Sequence, residues 1–348
     1  EIYYFKDKAD RDIGLRFDLT VPLARVVSSN PNLKKPFKRY QIAQVWRYDR
    51  PQAKRWREFT QADVDIVGAS SIAADFECIA IAAEVLKRLE IKGKIKVNNK
   101  KLLEDFSVYC GVKKEQAKDC FRSLDKLDKI GNREVEKELK EKKINSKILS
   151  ELSGNLSQVE KKIPSSIGVK EMKELFELVK ENKLEKFVEF DLSLSRGLEY
   201  YTGNVFEVVS DGPSIGGGGR YDELISDFGG QKTPAVGISF GIERILDLVK
   251  DDKENLSGFF VAGVSKEFFS NAVFLAQKMR EIGLNVEVDL MERNISKNMD
   301  YANFKKIPFV VFMGENEIKA KKFKVKNLKT GKETQISFDR LEELKKLI

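Results

Sequence analysis

The ten residues Glu58–Val67 alternate in a way that only an extended strand can use. Period two puts Thr60, Ala62, Val64 and Ile66 on one face and Phe59, Gln61, Asp63 and Asp65 on the other. The first face is core. The second carries a ring, an amide and two carboxylates, which makes it either the solvent side of an antiparallel sheet or the lining of a polar site. A preceding run, Lys38–Tyr48, also reads as a strand, and the basic loop Asp49–Arg57 joins the two. Arg47, Arg50, Lys54, Arg55 and Arg57 put five cations near one hairpin tip, where they repel each other unless solvated or facing an anion. Arginines beside carboxylates and an aromatic suit a site for phosphate, a cationic amine and a flat ring.

Around this hairpin the chain changes character twice. Before it, Ile2–Phe5 and Ile13–Asp18 read as a short hairpin, and Thr20 as the cap of a helix with Pro22 in its first turn. After it, Ser71–Leu89 has helical periodicity, with Ile72, Phe76, Ile79, Ala83 and Val85/Leu86 as the apolar stripe. From about Ile95 to Lys186 lysine and glutamate rise, and helices are expected near Lys100–Tyr109, Lys114–Leu127, Asn132–Glu141, Ser146–Leu156 and Lys170–Glu181. This predicts a helical insertion within a strand-rich domain. Strands return at Phe187–Leu194 and Tyr200–Val209, followed by a Gly-rich turn and a helix from about Ile242 to Lys250. Asp251–Gly258 is a polar linker, after which strands and helices alternate in the manner of a compact α/β domain.

At 348 residues, 34% charged and 41% hydrophobic, the chain is expected to form two or three domains in a soluble protein. No apolar run approaches the ~18–20 residues of a membrane span. Cys78, Cys110 and Cys120 lack CxxC spacing, which suggests reduced thiols in a cytoplasmic protein and neither a zinc site nor a disulfide framework. A net charge of +8 suits a polyanionic partner. Histidine is absent, which excludes histidine-dependent nucleophile systems and acid–base relays, and no metal site can use His ligands. Any chemistry must run on carboxylates, arginines, lysines, tyrosines and bound Mg²⁺.

Three further segments carry chemical side chains. Arg196-Gly-Leu-Glu-Tyr-Tyr-Thr-Gly203 leads into the strand-like run Asn204–Val209, and continued alternation would turn only one of Tyr200 and Tyr201 toward a given cavity. Ile215–Asp222 holds four consecutive glycines, then Arg220 and Tyr221; the chain has no GxxxxGK[ST], so this is not a P-loop. Thr233–Arg244 runs from a strand of small residues into a helix, with Arg244 in the early turns where the helix dipole favours acids.

Taken together, these segments resemble class II aminoacyl-tRNA synthetases, and the Arg196–Gly203 stretch resembles the signature of the histidyl-tRNA synthetases. The resemblance implies an α+β chain: an antiparallel-sheet catalytic domain in two parts (1–95 and 187–250), a helical insertion domain (96–186) and a C-terminal α/β anticodon-binding domain (258–348). In that family the hairpin is motif 2, so Arg47 matches the arginine on the ATP α-phosphate, Asp49 and Arg55 match nucleotide contacts, and Phe59 matches the adenine-stacking residue. Gln52 and Arg55 would meet the tRNA acceptor end. Arg244 matches the motif 3 arginine near the γ-phosphate. The implied catalytic set is Arg47, Arg196 and Arg244. Histidine would be held by Asp18, Thr20, Gln61, Asp65, Arg196, Tyr200, Tyr201 and Tyr221. In the C-terminal part Ala302, Gly314 and Glu315 fit the family pattern.

The implied reaction joins histidine to tRNA(His) through an adenylate, with ATP as substrate and Mg²⁺ carried mainly by the ATP. Asp18 and the insertion around Ser123–Gly131 are forms associated with the archaeal and eukaryotic branch. Family members open with a segment, motif 1, that builds a dimer interface; this chain starts at a strand just after it, so a homodimer is expected where that segment is present. Two readings compete. A non-catalytic paralogue, regulatory or tRNA-sensing, would tend to lose the arginines retained at 47, 196 and 244. A plain nucleic-acid-binding protein would account for the charge but not for Asp18, Gln61 and Asp65 beside those arginines.

Overall fold

The computed structural model describes residues 1–50, 55–195, 200–210, 214–249 and 257–347. The chain divides into two compact units, Glu1–Val249 and Lys250–Ile348. The expected linker, 251–258, lies largely outside the described residues.

The first unit opens with the hairpin β1 (Tyr4–Lys6) and β2 (Asp12–Gly14) and the helix Thr20–Ser29. Its main sheet has seven strands: β3 (Phe37–Trp46), β4 (Glu58–Val67), β5 (Gly93–Asn99), β6 (Val188–Phe190), β7 (Asn204–Ser210), β8 (Gly216–Arg220) and β9 (Ala235–Gly241). They lie in the order β3-β4-β9-β8-β7-β5-β6, all antiparallel except the β5–β6 pair. The expected strand 187–194 contracts to β6. The glycine run expected as a turn is instead a strand paired on both sides. A Cβ on Gly218 would stand 2.1 Å from the Gly237 carbonyl oxygen, so the two backbones are too close for any side chain.

Behind the sheet the helix Ile72–Arg88 buries Ile72, Cys78, Ile79, Ala82, Ala83 and Leu86, whereas Phe76 and Val85 are half-buried. Between β5 and β6 run the helices Lys100–Tyr109, Ala117–Leu124, Leu127–Glu141, Lys147–Glu151, Leu156–Lys162 and Ile167–Glu181. Asn99 starts the first by accepting the N–H groups of Lys101 and Leu102. The third begins earlier than expected but breaks at Gly131, whose φ is 76°. One expected helix, 146–156, is two; Asn155 and Gln158 form a capping box that starts the second. Leu103, Phe106, Phe121, Val135 and Met172 from these helices join the same apolar cluster as Ile95 and Val97 of β5.

The second unit has strands β10 (Phe259–Gly263), β11 (Val286–Val288), β12 (Phe309–Met313), β13 (Lys322–Asn327) and β14 (Glu333–Ser337), ordered β11-β10-β12-β13-β14. The first three are parallel and the last two antiparallel additions. Alternation along β10 separates two cores. Phe259 and Val261 pack with Leu275 and Met279 of the helix Phe269–Glu281, while Phe260 and Ala262 pack with Ala302 of the helix Ile295–Phe304. The closing helix is a 3₁₀ stretch, Phe338–Lys346. Among the described residues no helix is long and apolar enough to cross a membrane.

Candidate active site

The polar face of β4 lines a cavity of about 520 Å³ in the first unit, with Phe59, Gln61, Asp63 and Asp65 in a row along its wall. The register explains the row's surroundings. On one side Arg39 of β3 stands opposite Asp65; on the other, β9 offers Gly237 to Asp65, Ser239 to Asp63 and Gly241 to Gln61. A Cβ on Gly237 would lie 2.1 Å from Asp65 Oδ1, so glycine there is what leaves room for the carboxylate.

At one end of the cavity Asp65 is buried at 3% exposure. Its Oδ1 accepts from the Tyr221 hydroxyl at 2.5 Å, and its Oδ2 lies 2.9 Å from Arg39 Nη2. Arg39 also donates from Nη2 to the Leu19 carbonyl at 2.8 Å and from Nη1 to Gln41 Oε1. Burial pushes the Asp65 carboxyl up, and Arg39 and Tyr221 pull it back. Tyr200 and Tyr201 both line this end, against the alternation argument. Strand β7 starts only at Asn204, so the two tyrosines sit in a turn ahead of it, rings 4.3 Å apart, with the Tyr200 hydroxyl donating to Tyr201 at 3.0 Å. Burial raises both phenols, Tyr201 well above its ordinary value.

Midway along the wall Ser239 links two members of the row. It accepts from Gln61 Nε2 at 2.8 Å and donates to Asp63 Oδ1 at 2.5 Å. Burial raises the Asp63 carboxyl to about 6, against the pull of the Ser239 hydroxyl. Gln61 Oε1 is buried with no hydrogen-bond partner among the described residues. Asp18 and Thr20 line the cavity as well. Thr20 is already the first helical residue and caps nothing; it is Asp18 Oδ1 that accepts the Val21 N–H, at 3.0 Å.

Cations gather at the other end. The Arg47 guanidinium lies 4.5 Å from the Phe17 ring centroid and 5.1 Å from that of Phe59, and its Nε donates to the Phe17 carbonyl at 3.2 Å. Burial lowers the Arg47 value, opposed by Asp18 and Asp49. Arg55 stands 4.0 Å from Asp49. Arg244 Nη1 donates to the Ser214 carbonyl at 2.7 Å, and the neighbouring Glu243 accepts the Thr60 N–H at 2.8 Å.

Of the residues expected around a nucleotide, Arg47, Asp49, Arg55, Phe59 and Arg244 line this one cavity. Of those expected around an amino acid, Asp18, Thr20, Gln61, Asp65 and the three tyrosines line it too. Arg196 and Gln52 lie outside the described residues. Sequence reading missed Arg39, Ser239 and Glu243, each a direct partner of the β4 row or its backbone. Arg39 was legible in principle, since the predicted hairpin brings it opposite Asp65 once the loop length is known. Among the described residues no group of three or more carboxylates or cysteines is arranged to hold a metal ion.

Comparison with known proteins gives a consistent picture. The sequence profile of the family described as histidyl-tRNA synthetase matches residues 1–245, and that of an anticodon binding domain matches residues 259–346. A histidine–tRNA ligase 2 of Shouchella clausii is 37% identical over 97% of this chain and 84% of its own length. A histidine–tRNA ligase of Cytophaga hutchinsonii is 38% identical over 94% of the chain and 78% of its own length. The crystal structure of a histidyl-tRNA synthetase from Nostoc sp. PCC 7120 superposes with a TM-score of 0.85 at 31% identity, covering 100% of this chain and 86% of that one.

Proposed function

The chain belongs to the histidyl-tRNA synthetase family, and on that premise we propose that it attaches histidine to tRNA(His) in two steps through a histidyl-adenylate. The observation that carries this reading is the β4 row: a ring, an amide and two carboxylates on one wall of a cavity, with arginines at one end and three tyrosines at the other. In the first step a carboxylate oxygen of histidine bonds to the ATP α-phosphorus, and the bond from that phosphorus to the bridging oxygen of the β-phosphate breaks to release pyrophosphate. The nucleophile is already an anion at pH 7, so no general base is required and the lack of histidine in the chain removes nothing from the mechanism. The obstacle is bringing one anion onto another. Arg47 and Arg196 would flank the carboxylate and α-phosphate, and Arg244 the distal phosphates. Phe59 would stack on adenine, with Asp49 and Arg55 beside the nucleotide; Mg²⁺ would enter on the ATP phosphates as part of the substrate.

Asp18, Thr20 and Gln61 would hold the α-ammonium group, and the partnerless Gln61 Oε1 is a fitting acceptor for it. Asp65 and Tyr201 would engage the ring nitrogens, with Tyr200 and Tyr221 closing around them. A site of buried hydrogen-bonding groups rejects analogues that leave those groups unpaired by about 10⁴–10⁵. In the second step the terminal ribose hydroxyl of the tRNA, guided by Gln52 and Arg55, would bond to the adenylate carbonyl carbon, giving its proton to a phosphate oxygen of the adenylate, while the bond from that carbon to the phosphate oxygen breaks and AMP leaves. The same proposal assigns 1–95 and 187–250 to catalysis, 96–186 to the insertion and 258–348 to the anticodon. It includes a homodimer where the motif 1 segment is present.

ATP–pyrophosphate exchange with each amino acid in turn tests the reading. Exchange with histidine alone is expected; exchange with another amino acid overturns the assignment of the substrate, and no exchange with any amino acid overturns the catalytic reading and favours the non-catalytic paralogue.

A further inference from the structure

We propose that Arg39 decides the charge of the ring this pocket accepts: standing behind Asp65, it makes the site take neutral imidazole and refuse imidazolium. The inference rests on the assignment of Asp65 and Tyr201 to the ring and deepens it. Arg39 is not in contact with the cavity, so it acts through Asp65 as a positioning and specificity-determining residue.

A lone buried carboxylate facing an imidazole would favour the protonated ring, because opposite charges attract strongly where water is scarce. Asp65 is not alone. Arg39 Nη2 is 2.9 Å from its Oδ2, and the pair is buried, with side-chain exposures of 11% for Arg39 and 4% for Asp65. The guanidinium is held in place by the Leu19 carbonyl and Gln41, so it cannot swing away when a ligand enters. With Asp65 ionised the pair carries no net charge, and with Asp65 protonated it carries one positive charge, so in neither state does it offer an imidazolium the net negative charge that a lone carboxylate would.

The donor and acceptor count points the same way. Neutral imidazole has one donor and one acceptor, imidazolium two donors. The pocket end supplies an acceptor, the Asp65 carboxylate, and a donor, the Tyr201 hydroxyl, whose oxygen is already engaged by Tyr200. Other charged or titratable groups face Asp65 from each neighbouring element. Arg39 comes from β3 and Asp63 from β4, the strand of Asp65 itself, Asp18 precedes the helix Thr20–Ser29, Tyr200 and Tyr201 precede β7, Tyr221 follows β8, and the buried thiol of Cys78 approaches from the helix Ile72–Arg88. Of the two acids, Asp63 is bound to Ser239 and Asp18 to the Val21 N–H. Asp18 is assigned above to the α-ammonium group, and Asp63 shares Ser239 with Gln61, which is assigned to the same group.

The first test needs no mutation. Calorimetry in buffers of different ionisation enthalpy counts protons released when the protein binds L-histidine at pH 5.5, where the free ring is mostly protonated. The same count with 2-fluoro-L-histidine, whose ring stays neutral, subtracts any proton moved by Asp63. A difference close to one proton is expected. Binding of both ligands with no difference overturns the inference and leaves the functional reading intact, whereas no binding of histidine sinks both.

A second test uses Arg39→Met and Arg39→Lys. Without Arg39 the complex holds one more proton, so the rise in KM for histidine should shrink as pH falls from 8.5 to 6.5, by up to about tenfold per pH unit. Arg39→Lys should keep the wild-type profile. A KM penalty independent of pH would mean that Arg39 is merely structural.

Discussion

Among the described residues of the first unit two aspartate–arginine pairs are buried on both sides, and they are built for opposite ends. Asp75, in the helix Ile72–Arg88, is fully buried, and Arg220 at the end of β8 donates to it from Nε and Nη2. The remaining Arg220 hydrogens go to the carbonyls of Ala69 and Ser71 and to Asp222, and Asn204 adds a bond to Asp75 at 3.1 Å. Asn204 in turn binds Asn99, which reaches Glu171. Nothing in that network is left over for a ligand. The Asp65–Arg39 pair has a tyrosine on one oxygen and a cavity in front, and Arg39 Nε has no hydrogen-bond partner among the described residues. The same two residue types thus make a sealed joint in one place and a receptive surface in the other; completeness of hydrogen bonding distinguishes them, not burial.

The sharpest way to break this contrast is to remove one acid from each pair. Asp75→Asn should destabilise the first unit by about 3–5 kcal/mol in urea unfolding, because Arg220 is left charged with no water to replace its partner. Asp65→Asn should cost less, about 1–3 kcal/mol of stability, because Arg39 keeps 11% side-chain exposure and its bonds to the Leu19 carbonyl and Gln41. It should lower kcat/KM for histidine-dependent exchange by about 10–150-fold, the worth of a charge-assisted hydrogen bond. Equal destabilisation by the two substitutions would dissolve the distinction.

Asp63 sharpens it from another side. With its carboxyl raised to about 6, the folded protein binds a proton that the unfolded chain, at 3.8, has already lost. Folding therefore gains from Asp63 at low pH and loses that gain as pH rises through this window. Asp63→Asn should stabilise the empty protein by about 1–3 kcal/mol at pH 7.5, fading to nothing near pH 4. A variant that is no more stable than the parent at pH 7.5 would refute the burial cost. The smallest effect is expected for Tyr221→Phe, about 1 kcal/mol of stability for the lost bond to Asp65, read in the same unfolding assay.

How much of this was legible beforehand depended on the period of each element. The faces of β4 follow from alternation alone, and the cavity uses the face that alternation left polar. Tyr200 and Tyr201 were misjudged because the strand rule was extended past Asn204, into residues where no ladder enforces it. The glycines of β8 read as a turn because propensity sees flexible residues, whereas the ladder selects them for having no side chain. Arg39, Ser239 and Asp75 became meaningful only through partners 26, 176 and 145 residues away in the chain. Local pattern holds no record of such distances.

The glycine strands have one more consequence. Where Gly216, Gly218 and Gly237 meet the cavity, its surface is main chain, and a side chain added at any of the three would clash: a Cβ on Gly216 would stand 2.8 Å from the Ser239 carbonyl oxygen. Variation in such a protein can explore the walls, residue by residue, but it inherits the floor whole.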